Sequence, residues 1–259
     1  MTQETVKTKN TKAIEIRNLC KVYHSDSGST VPALQDINLT VNNGEFVTVL
    51  GATGCGKTTL LNLIAGLDTP DEGQLNLNDD LKFGKNIANV FQHYTLFPWR
   101  TTLSNISFAM EMKGIPKQTR KHEAMELLSK VGLEGFENAY AHELSGGMRQ
   151  RAAIAQALAM KPQLLLMDEP FGAVDDSTRA DLQKMITQLW RENHLTVIFV
   201  THNIDEAIIL GDKVLVLSER PGKIIKEFSI NMTRPRNHMA TEFTELFIKI
   251  RQTLSGQLD

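Results

Sequence analysis

The chain has 259 residues, with 28 Lys+Arg against 30 Asp+Glu, a net charge of −2 and a pI near 6.4. That length suits one large domain or two subdomains with an ample core, and the balanced charge lacks the basic excess or stripe of a nucleic-acid binder. The N-terminus has no apolar signal segment, no apolar run reaches the roughly 18 residues of a membrane span, and two cysteines give no disulfide framework. A cytosolic chain is expected, for which a partner supplies any membrane-spanning part.

Residues 1–12 are polar and Thr/Lys-rich, the composition of a disordered tail. Residues 13–19 alternate apolar and polar side chains, a strand pattern that returns over 34–41 after a Ser/Gly/Asp loop from His24 to Thr30. Residues 42–45 form a turn, and residues 46–50 are an apolar, β-rich run that reads as a buried strand. Gly51, Ala52, Thr53, Gly54, Cys55, Gly56, Lys57, Thr58 and Thr59 then match G-x-x-x-x-G-K-[ST], with an apolar helical stretch at 60–65. A strand aims such a loop and a helix N-terminus receives an anion. Glycines bring successive N–H groups onto phosphate oxygens. Lys57 reaches the β/γ-phosphates and the Thr58 hydroxyl ligates Mg²⁺. The strand–loop–helix setting marks a nucleotide site, and Cys55 inside it is a thiol whose alkylation bound nucleotide should slow.

After a turn at 71–73, residues 74–77 alternate again and residues 87–92 look like a further buried strand. From about Gln92 to Met160 the pattern is helical: Ala124, Leu127, Leu128 and Val131 make one apolar face, and Met148, Ala152, Ala155 and Ala159 another. Pro162 ends that second helix. Residues 164–167 form a buried strand, Leu182, Met185, Ile186 and Leu189 a helix face, and residues 196–200 another strand. Residues 213–217 and 224–228 read as a hairpin around Pro221-Gly222, and Phe243, Leu246, Phe247, Ile250 and Leu254 form a last amphipathic helix, which serves packing.

Three stretches carry chemistry. The strand at 164–167 delivers Asp168 and Glu169 at its C-terminal end, where ligands bind in open α/β sheets. Asp168 holds Mg²⁺, and Glu169 orients or deprotonates the water that attacks the γ-phosphate. His202 ends the next strand at the same edge, where its N–H can reach a γ-phosphate. Leu144, Ser145, Gly146, Gly147 and Met148 open a helix whose free N–H groups and positive dipole end suit an anion. Helix capping and solvated turns are the bland alternatives for each stretch taken alone.

With these motifs the chain resembles the ATP-binding cassette ATPases over residues from about 14 to 235. The resemblance implies an α/β P-loop NTPase with a RecA-like core, an antiparallel β subdomain and a helical subdomain at about 93–158. The cassette would span 13–237, followed by a C-terminal helix at 238–259. It implies ATP and Mg²⁺ as cofactors, Tyr23 stacked on adenine, and Gln92 contacting Mg²⁺ and sensing the transmembrane partner. Residues 144–148 become the signature that caps ATP on the opposite protomer, His202 the switch histidine, and Asp175 the loop that meets that protomer. Val174 stands where the family has leucine, Asp176 where glutamate is frequent, and Ala52-Thr53 where Pro-Ser is common. None of these changes removes a functional group.

Residues 90–99 with Phe97-Pro98-Trp99, together with residues 217–224 and Arg234-Pro235-Arg236, are similar to the importers of nitrate, taurine, sulfonates and bicarbonate. The implied protein is the ATP-hydrolysing subunit of a bacterial importer of small anions, a translocase ATPase. It would form a homodimer on the cytoplasmic face of the membrane. Its permease would contact residues 92–99, and an extracytoplasmic solute-binding protein would act indirectly. The alternatives are another cassette system, such as an exporter, or a soluble cassette ATPase.

Overall fold

The structure is a computed structural model and describes residues 12–24, 29–82, 85–92, 95–172 and 174–256. The expected tail lies outside these residues except for Lys12. Residues 25–28 of the polar loop, His93 and Tyr94, Ala173 and residues 257–259 also lie outside them.

Two sheets are stacked. In the first, β1 (Lys12–His24) pairs antiparallel with β2 (Thr30–Asn42) and with β4 (Glu72–Leu77), in the order β2-β1-β4. The second takes β3 (Phe46–Leu50), β5 (Ile87–Val90), β6 (Leu164–Asp168), β7 (Thr196–Thr201), β8 (Lys213–Leu217) and β9 (Ile224–Ser229). Its order is β5-β6-β7-β3-β8-β9, parallel except for the terminal β8–β9 hairpin. The expected mixture of antiparallel front strands and a parallel core is therefore present, as is the closing hairpin.

Side-chain alternation sends each parallel strand to two cores at once. Leu164 and Leu166 of β6 and Ile198 and Val200 of β7 face a core shared with β1, β2 and the helix α1 (Lys57–Ile64). Leu165 and Met167, Val197 and Phe199 face the other side. There they meet the helices α2 (Thr102–Met112), α3 (Lys117–Lys130), α4 (Gly146–Leu158) and α5 (Asp176–Asn193). A third core joins Val214 and Val216 of β8 to the helices α6 (Ile204–Leu210) and α7 (Thr241–Leu254). The apolar faces expected for α3, α4, α5 and α7 are the buried ones.

The strand ends differ from expectation for local reasons. β1 begins at Lys12, paired with Asn42, and runs to His24, because register shifts and a left-handed Asn18 (φ 47°) let the hairpin bend without breaking. Glu72 and Gly73, expected in a turn, open β4. β5 stops at Val90 and leaves Phe91 and Gln92 exposed.

Arg234 and Arg236 close the third core. The Arg236 guanidinium is buried and donates to the carbonyls of Ile208, Ile209, Gly211 and Met232, so it satisfies the C-terminal end of α6. Burial, with Arg234 alongside, pushes its pKa down to about 10. Arg234 donates to the Leu210 carbonyl and to Asp212 Oδ1 (2.6 Å), with its guanidinium over the Trp190 ring at 4.6 Å. Replacing Arg236 by Met should leave these carbonyls without donors and lower the unfolding free energy by about 2–4 kcal/mol, measurable as a shift of the urea midpoint at constant slope.

Candidate functional site

Four neighbouring strands end at one edge of the parallel sheet, and their order fixes which loops meet. Along that edge come β5 with Gln92, β6 with Asp168 and Glu169, β7 with His202, and β3 with the loop at 51–59. The register is level: Val90 pairs with Met167, Asp168 with Val200, and Val49 with Val200. The chain segments that follow each strand are therefore brought side by side, as open α/β sheets do at their carboxyl edge.

The loop after β3 turns into α1 at Gly56, whose φ of 109° and lack of a side chain are both required. A Cβ there would come within 2.7 Å of the Ala33 carbonyl oxygen and of Leu34 Cδ2. Lys57 opens the helix and folds back over the loop, and it is only 4 % exposed. Its Nζ donates to the carbonyls of Gly51 and Ala52, both at 2.9 Å, and lies 3.4 Å from Glu169 Oε1. Thr58 Oγ1 donates to Asp168 Oδ2 at 2.8 Å. Burial pushes the Asp168 carboxyl above its usual range, against the pull of the Thr58 hydrogen bond. An open cavity of about 410 Å³ lies over the loop, lined by Ala52, Thr53, Gly54, Cys55, Glu219 and Arg220.

Glu169 is the hinge of the cluster. Its φ of 42° is uncommon for a residue with a side chain. The Glu169 N–H donates to the Val200 carbonyl and the Gly172 N–H to that of Glu169, at 3.0 and 3.1 Å. Its carboxylate spans the gap between Lys57 and His202, with Oε2 3.0 Å from His202 Nδ1. The His202 side chain itself is 57 % exposed.

Tyr23 stands on β1 beside α1. Its hydroxyl donates to Asp68 Oδ2 at 2.9 Å and also meets the Thr59 side chain, while Lys21 Nζ lies 5.4 Å from the ring centre and pairs with Asp68. The ring is 40 % exposed.

The residues at 144–148 form a second cluster. Leu144 is buried, and Ser145 caps α4 by accepting from the Met148 N–H at 3.3 Å. Gly147 packs so closely on α5 that a Cβ would fall 2.5 Å from Thr178 Cγ2. Asp175 caps α5, accepting from the Thr178 N–H and from the Ser177 and Thr178 hydroxyls, and these bonds hold its carboxyl well below the usual range. The chain thus brings the signature stretch and Asp175 together. None of their hydrogen bonds among the described residues reaches the loop at 51–59.

Cys55 does not suit the alkylation probe expected of it. Its thiol is buried, and that burial pushes it up, which makes it a slow target for alkylation. Three further residues of the site fall outside its phosphate-loop, carboxylate and signature motifs. Arg220 Nε donates to the Gly54 carbonyl at 3.2 Å, and the buried Glu206 faces Arg179 from directly behind His202. Charged residues at helical spacing look like a solvated face, so the pattern held no signal for the last two.

A protein-family model described as ABC transporter matches residues 34–172. An ABC transporter ATP-binding protein of Methanocaldococcus jannaschii, MJ0412, is 48% identical, covering 95% of this chain and 92% of that protein. A taurine import ATP-binding protein of Yersinia pestis is 46% identical over 77% of this chain and 79% of its own length. For a nitrate import ATP-binding protein of Synechocystis sp. the values are 44%, 85% and 83%. Among solved structures, the dimeric ATP-binding cassette MJ0796 in a post-hydrolysis state with ADP and Pi superposes with a TM-score of 0.75 at 32% identity, covering 85% of this chain and all of that one. A family match over half the chain, near-full-length relatives and a six-stranded sheet that gathers loop, carboxylates and histidine at one edge agree: the chain belongs to the ABC transporter family.

Proposed function

We propose that this chain is the ATP-hydrolysing subunit of an importer of small anions. It works as a head-to-tail pair that holds MgATP between the loop at 51–59 of one copy and the signature stretch at 144–148 of the other. One observation carries the reading: Glu169 bridges Lys57 and His202 at 3.4 and 3.0 Å beside a Thr58–Asp168 pair, while Ser145 and Gly147 stand in a separate cluster. One chain holds both halves of a site without joining them by hydrogen bonds among the described residues. The dimeric form of the MJ0796 cassette and the import names of the relatives support the same reading.

Each residue then has a task. The loop N–H groups and the start of α1 receive the phosphates. Lys57 exchanges the Gly51 and Ala52 carbonyls for phosphate oxygens, which frees Glu169 from its ion pair. Thr58 and Asp168 offer hard oxygen donors that suit Mg²⁺, with Gln92 beside them on the sheet edge. Magnesium, when bound, neutralises charge on the β- and γ-phosphate oxygens. Glu169 takes the proton of the attacking water or orients it in line with the leaving oxygen, and His202 fixes Glu169 and the γ-phosphate. Tyr23 offers its exposed ring to the adenine. Ser145 and Gly147, with Asp175 next to them, close on the nucleotide of the partner copy.

The permease docks beside this site. A groove of about 330 Å³ between the sheet and the α2–α4 helices is lined by Leu67, Ile87, Phe91, Ala109, Ala157 and Met160 among others. Phe97 packs on Phe108 with its ring centre at 4.8 Å, whereas Trp99 is 72 % exposed. The groove, and the exposed indole whose ring centre lies 5.5 Å from that of Phe97, suit a cytoplasmic helix of the permease. No helix among the described residues is long and apolar enough to cross a membrane. The import names of the relatives support a spanning permease and a solute-binding protein as partners, and a place for this chain on the cytoplasmic face. The division proposed is a cassette at 13–237, with α2, α3 and α4 packed on one another as its helical part, and a C-terminal helix at 238–259.

Glu169→Gln should keep ATP affinity and lower phosphate release by about 100-fold or more, and sedimentation with ATP should show a dimer; normal turnover would remove Glu169 from the chemistry. Trp99→Ala, assayed with the permease in vesicles, should cut transport by roughly ten-fold with basal ATPase retained. Equal loss of both activities would make Trp99 a packing residue.

A further inference from the structure

Glu206 is buried to 5 % exposure and takes no part in the chemistry above. It lies in the first turn of α6, four residues past His202. Its Oε2 accepts from Thr201 Oγ1 at 2.6 Å, and the same hydroxyl accepts from the Asn203 N–H at 3.0 Å. The two residues that flank His202 are thereby tied to one carboxylate. Its other oxygen, Oε1, lies 3.2 Å from Arg179 Nε.

Arg179 comes from the first turn of α5. Its Nη2 donates to the Val174 carbonyl at 3.2 Å and its Nη1 to Asp176 Oδ1 at 2.6 Å. Val174 and Asp176 bracket Asp175, the cap of α5 that also stands against the signature stretch. A continuous polar chain therefore runs from the Asp175 turn through Arg179 and Glu206 to the residues on either side of His202. Burial raises the Glu206 carboxyl, with Thr201 and Arg179 pulling it back. A buried charge pair of this kind is seldom a gain in stability over apolar residues of the same size, so its value lies in where it holds its neighbours.

We infer that Arg179 and Glu206 are positioning residues for hydrolysis: their ion pair braces the 201–203 segment against the Asp175 turn, so that His202 faces Glu169 while that turn is in place. The inference rests on the roles proposed for Glu169 and His202. In the proposed pair the Asp175 turn meets the other copy, and the brace makes the position of His202 answer to that meeting.

The test uses the full chain with Arg179→Met, Glu206→Gln and the double variant. Thr201→Val is added because it deletes the linking hydroxyl at nearly constant volume if the charge variants fold poorly. ATP affinity is read by equilibrium binding in EDTA, kcat by phosphate release at saturating MgATP, and folding by thermal unfolding. Each single variant should lose roughly ten- to hundred-fold in kcat with ATP affinity held within about two-fold. The double variant should lose no more than the worse single, and Arg179→Lys should recover part of the loss. Folded variants with wild-type kcat, or losses that multiply in the double variant, would overturn the brace. His202→Ala and Glu169→Gln run alongside: if both keep turnover, the reading of the site fails and takes the brace with it. If both lose turnover while Arg179→Met, Glu206→Gln and Thr201→Val keep theirs, the brace alone fails.

Discussion

A lysine ammonium held almost wholly out of water sets the terms for the rest of the structure. Lys57 has two loop carbonyls and the Glu169 carboxylate around its Nζ. A buried cation is tolerable only with such company, and providing it dictates several features at once. The loop must curl so that its carbonyls point inward, which calls for Gly56 at φ 109°. The strand carrying Glu169 must stand two places from β3, which the order β6-β7-β3 provides. Glu169 itself takes a left-handed backbone that aims its carboxylate along the edge rather than away from it. An ammonium whose partners are weakly basic carbonyls and one shared carboxylate is also poised to leave them for a stronger anion.

The same edge shows how division of labour follows from a two-residue repeat. Alternate residues of β6 and β7 enter opposite cores, so the sheet is clamped from both faces and its ends are left to loops. Rigidity sits in the strands and chemistry at their tips, the arrangement in which a packed scaffold positions functional loops.

How far the sequence discloses this depends on whether the cause is local. The loop at 51–59, the paired carboxylates and His202 were legible because each is a short motif at the end of an apolar strand, and strand ends in a parallel sheet converge whatever the connections between them. The signature cap was legible as a serine before glycines. The partnership of Gly147 with Thr178 was not, since it depends on how α4 and α5 pack. β1 read too short because Asn18 and the register shifts interrupt its alternation without interrupting its pairing. α6 leaves little mark in the sequence, being short and apolar on most sides, and so does Glu206, which is buried against Arg179 of α5. Cys55 looked like an exposed loop thiol, yet its side chain turns into the core beneath the loop. Arg234-Pro235-Arg236 was visible as a family mark with no hint that its guanidinium groups terminate a helix.

That last arrangement bears on how the molecule can be shortened. Phe243 and Ile250 of α7 share a core with Ala207 and Ile208 of α6 and Val214 and Val216 of β8, and the arginines bolt the intervening segment to the far end of α6. A truncation before Thr241 would wet the underside of the helix that begins just after His202. The C-terminal helix, a segment of its own in the proposed division, is therefore no detachable appendage: it shares its core with the helix that follows that histidine.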